Sequence, residues 1–271
     1  MPDLQPSVVR LPDTELHYVE IGAGPPVLLV HGGFADYRLW WRLAGALSKK
    51  HRVVAYSRRG YFHNSWSEFT GPRFVGHSSD LLLLTAELFD GPFHLVGESL
   101  GASVSLRFAV DHPDLVRTLS VDEPPIPGFL APKSQSRKEL EGAIGAALRH
   151  YRGARPALGA EAIIDFLEGS AGAYASLPDE VKQVILANSR ATFMDIAGGL
   201  DAVQTGECEA MKTPALLLKS DGGHPALKLV VDGLHRALPV SLSKVVQGTS
   251  HGTIVDSEAY SKQVLGFIGR Y

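Results

Sequence analysis

The chain has 271 residues, of which 45% are hydrophobic and 20% charged, a balance typical of globular proteins and not of disordered chains. Its net charge of −3 gives no general attraction to nucleic acid or to an anionic membrane, so we expect neither as a partner. The single cysteine, Cys208, excludes an intrachain disulfide and a cysteine-rich zinc site. The sequence shows no signal-peptide pattern and no apolar run long enough to cross a membrane, so we expect a cytoplasmic protein.

Short, continuous apolar runs predict strands that are buried on both faces of a parallel sheet. An N-terminal hairpin is predicted from 8–11 and 16–21, with its turn at Pro12 and Asp13. The later strand-like runs are 26–30, 52–56, 93–97, 118–121, 215–218 and 242–247. Segments with helical periodicity lie between or after them, at 39–47, 74–89, 100–110 and 257–271. This alternation predicts a doubly wound α/β fold.

The middle of the chain has a different pattern. No strand-like run occurs in residues 124–213, where three stretches are helix-like: 138–151, 160–167 and 179–197. We interpret this segment as a helical cap inserted after the sixth strand. The remaining segments, 1–123 and 214–271, then form the α/β core.

A G-x-S-x-G motif, Gly97-Glu98-Ser99-Leu100-Gly101, follows the fifth predicted strand and opens the next predicted helix. A tight strand-to-helix turn would expose the Ser99 hydroxyl above the sheet as a nucleophile. The positive end of the helix would face an oxyanion, with the Leu100 amide as one donor.

Two further loops carry candidate catalytic groups. In the motif His31-Gly32-Gly33-Phe34, which follows the third strand, the Gly33 amide is the favoured second oxyanion donor and Phe34 the alternative. A serine hydroxyl is a poor nucleophile without an adjacent base. His251, on the loop between the last strand and the last helix, is the candidate base.

Taken together, these motifs resemble the α/β-hydrolase superfamily. The resemblance extends over nearly the whole chain and includes Arg58-Arg59-Gly60, His112-Pro113 and the segment from Gly248 to His251. It implies that the inserted segment is a cap domain and that no cofactor is needed. It also implies an acid that orients the histidine.

The position of that acid departs from the commonest family pattern. Asp221 lies two residues before the usual place after the seventh strand. Glu123, after the sixth strand, matches the glutamate of haloalkane dehalogenases and fungal zearalenone lactonases. Because side chains alternate along a strand, at most one of Asp122 and Glu123 can face the histidine. We favour Glu123 and keep Asp221 and Asp122 as alternatives.

These residues favour a serine hydrolase that cleaves an ester or lactone of a small, largely apolar molecule, similar to carboxylesterases and lactonases. A serine nucleophile argues against dehalogenase chemistry, because its alkyl ether could not be hydrolysed afterwards. A carbon–carbon bond hydrolase, a lyase or cyclase and a ligand-binding receptor stay open as alternatives. Phe34, His63 and Phe129 are candidate substrate-lining residues. We expect a small-molecule substrate and no metal, and a homodimer stays an open possibility.

Overall fold

The computed structural model describes residues 5–69, 71 and 73–271. This part of the chain forms one eight-stranded sheet. Its strands are β1 (Ser7–Arg10), β2 (Glu15–Ile21), β3 (Pro26–Val30), β4 (Arg52–Tyr56), β5 (Phe93–Glu98), β6 (Val116–Asp122), β7 (Ala215–Ser220) and β8 (Ser241–Val246).

The strand order is β1-β2-β4-β3-β5-β6-β7-β8. The hairpin strand β2 pairs antiparallel with β1 and with β4, and all later pairings are parallel. Because parallel strands end at the same edge, the carboxyl ends of β3, β5, β6 and β7 meet on one side of the sheet.

The parallel strands are apolar throughout because both of their faces are covered. In β3, Leu28 and Val30 pack into one hydrophobic cluster, whereas Val27 and Leu29 pack into the cluster on the opposite face. Burial on both faces therefore explains why these strands read as continuous apolar runs.

The α-helices of the described residues are α1 (Trp41–Leu47), α2 (Arg73–Leu88), α3 (Leu100–Asp111), α4 (Gln135–Arg152), α5 (Pro156–Glu168), α6 (Ala173–Ser176), α7 (Asp179–Ala197), α8 (Thr205–Ala210), α9 (Pro225–Ala237) and α10 (Glu258–Ile268). Helices α1 and α10 cover one face of the sheet, and α2, α3 and α9 cover the other. Among the described helices, none is both long enough and apolar enough to cross a membrane.

The predicted α/β fold with a helical insertion is confirmed. Helices α4 to α8 lie between β6 and β7, and the stretch between those two strands, all of it described, contains no strand. Several elements differ from the prediction. The start of the first predicted helix is a 3₁₀ turn, Tyr37–Trp40, and α6, α8 and α9 were not predicted.

Helix α9 had a detectable sequence pattern. Leu227, Val230, Val231 and Leu234 recur with helical spacing, and all four are buried. Pro225 occupies the first turn, where a proline fits a helix. The helix packs against β7 and β8.

Candidate active site

Ser99 lies at the sharp turn between β5 and α3. Its backbone has φ 52° and ψ −120°, a strained conformation for a residue that is not glycine. The Ser99 amide donates to the Asp122 carbonyl oxygen at 2.9 Å, which anchors the turn to β6. The turn leaves the Leu100 amide in the first position of α3, where no intrahelical acceptor exists.

The two glycines of the motif allow α3 to approach the sheet. A Cβ at Gly101 would collide with the Val30 and His31 carbonyl oxygens of β3 and its loop. A Cβ at Gly97 would lie 2.9 Å from the Ala102 Cα and would also meet the Ser105 hydroxyl. Any larger residue at either position would push the helix away and displace Ser99.

The loop after β8 brings His251 to Ser99. The His251 Nε2 lies 3.2 Å from the Ser99 Oγ, within reach of a hydrogen bond. The opposite ring nitrogen, Nδ1, lies 2.8 Å from the Glu123 Oε2. Serine, imidazole and carboxylate are therefore in the relative positions of a nucleophile, its base and an orienting acid.

A reversal of the backbone turns Glu123 toward the imidazole. Glu123 follows the last residue of β6 and has φ 41°, so its side chain leaves the alternation of the strand. Its second oxygen, Oε1, accepts from the Ser220 amide at 2.8 Å and from the Ser220 hydroxyl at 2.7 Å. With one oxygen held by Ser220, the other is fixed toward His251.

The electrostatics of the site favour an imidazolium. Burial opposes the charge on His251, but the hydrogen bond and charge of Glu123, followed by the charges of Glu98 and Asp122, raise its pKa to about 9. For Glu123, burial acts to raise the pKa, but the bonds from His251 and Ser220 outweigh it and lower the pKa. Glu123 is thus the ionised partner of His251.

The two alternative acids occupy other places. Asp122 accepts from the Tyr260 hydroxyl at 2.7 Å, and burial followed by the charge of Glu98 raises its pKa well above the usual range. Asp221 is exposed and accepts from the backbone amides of Gly248 and Thr249, both at 3.0 Å. Asp221 thus holds the loop that carries His251 but does not hydrogen-bond the imidazole among the described contacts.

The loop after β3 lies beside Ser99. Gly33 borders the space above Ser99 and Leu100, and a Cβ there would lie 2.9 Å from the Thr192 Cγ2 and 3.1 Å from the Leu100 Cδ1. The Phe34 amide donates to the Thr192 Oγ1 at 2.7 Å. Because the Phe34 N–H is already used by the cap, the geometry favours Gly33 over Phe34 as the oxyanion donor.

Arg58 stabilises the same loop through hydrogen bonds to its backbone. Its guanidinium donates to the carbonyl oxygens of His31 and Gly32, both at 3.0 Å, and its amide donates to the His31 Nε2. His31 is neutral because burial and then the charge of Arg58 lower its pKa to about 3. With Nε2 as an acceptor, the His31 Nδ1–H donates to the Gly32 carbonyl oxygen at 2.8 Å.

One face of α7, which we call the cap seam (Asn188, Thr192 and Asp195), joins the cap to these core loops. Asn188 accepts from the Phe62 amide and donates to Asp36. Asp195 is fully buried and receives hydrogen bonds from several core side chains: Arg58 at 2.7 Å, Tyr61 at 2.8 Å and Arg73 at 2.8 Å. The spacing of the cap seam places its three polar side chains on one helical face.

A cavity of about 340 Å³ lies between the cap and Ser99. This volume is at the small end of the usual range for ligand sites, roughly 300–1,000 Å³. Its walls are mostly apolar cap side chains, including Leu140, Ile144, Ile163, Leu177, Val181, Ile185, Ile196 and Leu200. The described lining includes no lysine or arginine, and its carboxyl groups are Glu98 and Glu168.

Of the three candidate lining residues, Phe34 borders the cavity and the other two do not. His63 lies on the outer side of the core, stacked between His17 and Tyr37, with its Nε2 3.3 Å from the Tyr37 hydroxyl. Phe129 packs against Gly233 of α9. Neither residue is among those that line this cavity, and a contact of His63 or Phe129 with substrate stays a prediction.

Several residues of the site were not found from the sequence. Ser220, Thr192 and Tyr260 act through hydrogen bonds to residues far away in the sequence, and no local motif marks them. Glu98 is adjacent to Ser99 in the motif, so the sequence places it near the nucleophile. The sequence does not indicate its distance to His251, because that distance depends on the fold. In the part of the chain described, no group of three or more histidine, cysteine or acidic side chains is arranged to hold a metal ion.

Comparisons with known proteins agree with this architecture. A family model described as the alpha/beta hydrolase fold matches residues 25–151. The uncharacterized hydrolase YraK of Bacillus subtilis (strain 168) is 34% identical over 117 residues, 43% of each chain. A fluoroacetate dehalogenase from Burkholderia sp is 34% identical over 118 residues, 42% of this chain and 39% of that protein. The matched segments thus span only about two fifths of these relatives.

Solved structures match over nearly the whole chain. The enol-lactonase from Burkholderia xenovorans superposes with a TM-score of 0.76 at 20% identity, covering 97% of this chain and all of that one. With the eight-stranded sheet and the strand-to-helix turn at Ser99, this likeness shows that the chain has the α/β-hydrolase fold.

Proposed function

We propose that the protein is a serine hydrolase that cleaves the ester or lactone bond of a small, uncharged and largely apolar substrate. The observation that carries the proposal is the hydrogen-bonded chain from Ser99 through His251 to Glu123 at the floor of an apolar cavity. Nucleophile, base and acid are within hydrogen-bond reach of one another, which is the arrangement that acyl transfer uses.

In the proposed mechanism, the Ser99 Oγ attacks the carbonyl carbon while its proton passes to the His251 Nε2. The carbonyl oxygen becomes an oxyanion and accepts from the amides of Gly33 and Leu100. The intermediate collapses, the carbon–oxygen bond to the leaving group breaks, and the Nε2 proton goes to the departing oxygen. A water molecule then repeats the sequence on the acyl-enzyme and frees Ser99. Glu123 holds the imidazole tautomer and stabilises its cation.

The charge of the cavity sets the proposed substrate class. A carboxylate substrate would lose its hydration among apolar side chains and would gain no basic partner from the described lining. The carboxyl groups of Glu98 and Glu168 would also repel it when ionised. Fluoroacetate, named for one relative, is such an anion, and halide displacement by a serine would leave an ether that water cannot remove. We therefore do not extend that relative's chemistry to this chain.

The test is hydrolysis of p-nitrophenyl esters by the wild type and three variants. We expect Ser99→Ala to lose on the order of 10⁴-fold in kcat or more, and Glu123→Gln about 10³–10⁴-fold. Asp221→Asn should stay within roughly tenfold of the wild type, because Asp221 supports the loop without contacting the imidazole. If Asp221→Asn is the inactive variant and Glu123→Gln is active, the assignment of the acid is wrong.

A matched pair of substrates tests the charge selection. p-Nitrophenyl butyrate and p-nitrophenyl hemisuccinate have acyl chains of equal length, which end in a methyl group and a carboxylate respectively. We expect kcat/KM for the butyrate to exceed that for the hemisuccinate by on the order of a hundredfold. Equal values would contradict the proposed substrate class but not the serine mechanism. A wild type that is inert on every ester and lactone would instead favour carbon–carbon bond hydrolysis or a non-hydrolytic role.

A further inference from the structure

Glu98 is a buried carboxyl group that the proposed mechanism does not use. It is the last residue of β5, it precedes Ser99, and it borders the cavity while only 7% exposed. Its Oε1 lies 3.6 Å from the His251 Nε2. A Cβ on Gly32 would collide with the Glu98 Oε2, so the carboxylate fills the space that this glycine leaves open.

The imidazole therefore lies between two carboxylates. Glu123 Oε2 is 2.8 Å from Nδ1, whereas Glu98 Oε1 is 3.6 Å from Nε2, the nitrogen that faces the Ser99 Oγ at 3.2 Å. When Nε2 takes the serine proton, the new positive charge appears next to Glu98. A charge at this distance in a site sheltered from water interacts more strongly than the same pair would in bulk solvent.

We propose, resting on the function proposed above, that Glu98 is a positioning residue for His251: its carboxylate stabilises the imidazolium from the Nε2 side and aligns that nitrogen between Ser99 and the leaving group. The proton balance is simple. The proton passes from the Ser99 Oγ to the His251 Nε2 and then to the leaving oxygen, and Glu98 neither gives nor takes a proton. The residue acts through the base and forms no bond to the substrate carbon.

Other charged and titratable groups face this pair from each packed element. At the end of β6, Asp122 is the register partner of Glu98 on the neighbouring strand. Its carboxyl group accepts a hydrogen bond from the Tyr260 hydroxyl of α10. From the cap, Glu168 at the end of α5 accepts from the Gly252 amide at 2.7 Å, next to His251. From the loop after β4, the charge of Arg58 favours an ionised Glu98.

The titration directions agree with the geometry. Burial raises the pKa of Glu98, and the positive charge of His251 opposes that rise. For His251, burial acts to lower the pKa, but Glu123 and then Glu98 outweigh it. Removing the negative charge of Glu98 therefore lowers the pKa of His251. In that variant, His251 would become neutral at a lower pH than in the wild type. Because its pKa is lower, the neutral imidazole would also be a weaker base toward the serine proton.

The experiment combines a pH profile with a direct titration of the imidazole. In Glu98→Gln, which keeps the size of the side chain, we expect the acid limb of kcat/KM to move down by about one pH unit. The activity on the alkaline plateau should fall severalfold, because a weaker base accelerates proton transfer less. Glu98→Asp restores the charge and should return the limb toward its wild-type position. Glu258→Gln removes an exposed carboxylate on α10 and serves as the control.

The titration of His251 needs no turnover. It is followed by NMR on protein labelled at histidine, with the His251 signal assigned from its loss in His251→Asn. A pKa of His251 that drops in Glu98→Gln but not in Glu258→Gln supports the proposal. An unchanged or higher pKa in Glu98→Gln overturns it, whether or not the wild type hydrolyses esters. Failure of the proposed function is read separately, from Ser99→Ala in the ester assay.

Discussion

Replacing Asp195 by asparagine removes one buried charge from the cap seam while keeping the volume of the side chain. Asp195 and Arg58 are both fully buried, and Arg73 is 7% exposed. The arginine contacts measure 2.7 Å for Arg58 and 2.8 Å for Arg73. Burial acts to raise the pKa of Asp195, but His77 and the two arginines outweigh it and hold the pKa far below the usual range.

The size of the effect follows from what the substitution leaves behind. Arg58 would remain buried with no carboxylate, and an uncompensated buried charge costs about 3–5 kcal/mol. The unfolding free energy of a native protein is only about 5–15 kcal/mol. We therefore expect Asp195→Asn to lose about 3–5 kcal/mol and to unfold at a clearly lower denaturant concentration.

The assay is urea denaturation followed by circular dichroism at neutral pH. Asp179→Asn is the matched control, because Asp179 lies on the same helix, its side chain is 91% exposed, and its partner Lys182 is 3.7 Å away. An exposed pair of this kind should change stability by less than about 1 kcal/mol. If Asp195→Asn loses no more stability than Asp179→Asn, the cap seam does not stabilise the fold as we argue.

Three further predictions concern the site. Because the base must be neutral and the pKa of His251 is raised to about 9, kcat/KM should rise with pH and fall about tenfold per unit on the acid side, as a pH–rate profile would show. Ile163→Trp fills the cavity and should raise KM for octanoate esters far more than for acetate esters, whereas Leu158→Trp, at an exposed position of the same helix, should not. Gly33→Ala places a methyl group 2.9 Å from the Thr192 Cγ2, which would displace the loop and its amide. We expect kcat to fall at least tenfold with little change in KM. An unchanged kcat would contradict a role of Gly33 in the oxyanion hole.

The sheet was predictable because its strands are buried on both faces. Apolar runs such as those of β3 and β5 are continuous, short and bounded by turn residues, so the pattern alone located them. The turn at Ser99 was predictable for a related reason. Its glycines reflect close backbone approaches that any chain with this turn must make.

The arrangement of the acids depended on the three-dimensional fold. Asp122 and Glu123 are adjacent in sequence, and only the positive φ of Glu123 and its bonds to Ser220 decide which carboxylate faces His251. The cap seam likewise joins residues more than 100 positions apart, such as Arg58 and Asp195. Helical periodicity located α7 but did not indicate which of its faces carries polar partners.

The central claim is that Ser99 is a nucleophile activated by His251 and Glu123. The most direct measurement is labelling with a fluorophosphonate probe between pH 7 and 9, with the adduct located by peptide mass spectrometry. We expect a single adduct on Ser99, formed faster as the pH rises, absent in Ser99→Ala and much slower in Glu123→Gln. Labelling on another residue, or equal rates in the wild type and Glu123→Gln, would contradict the account.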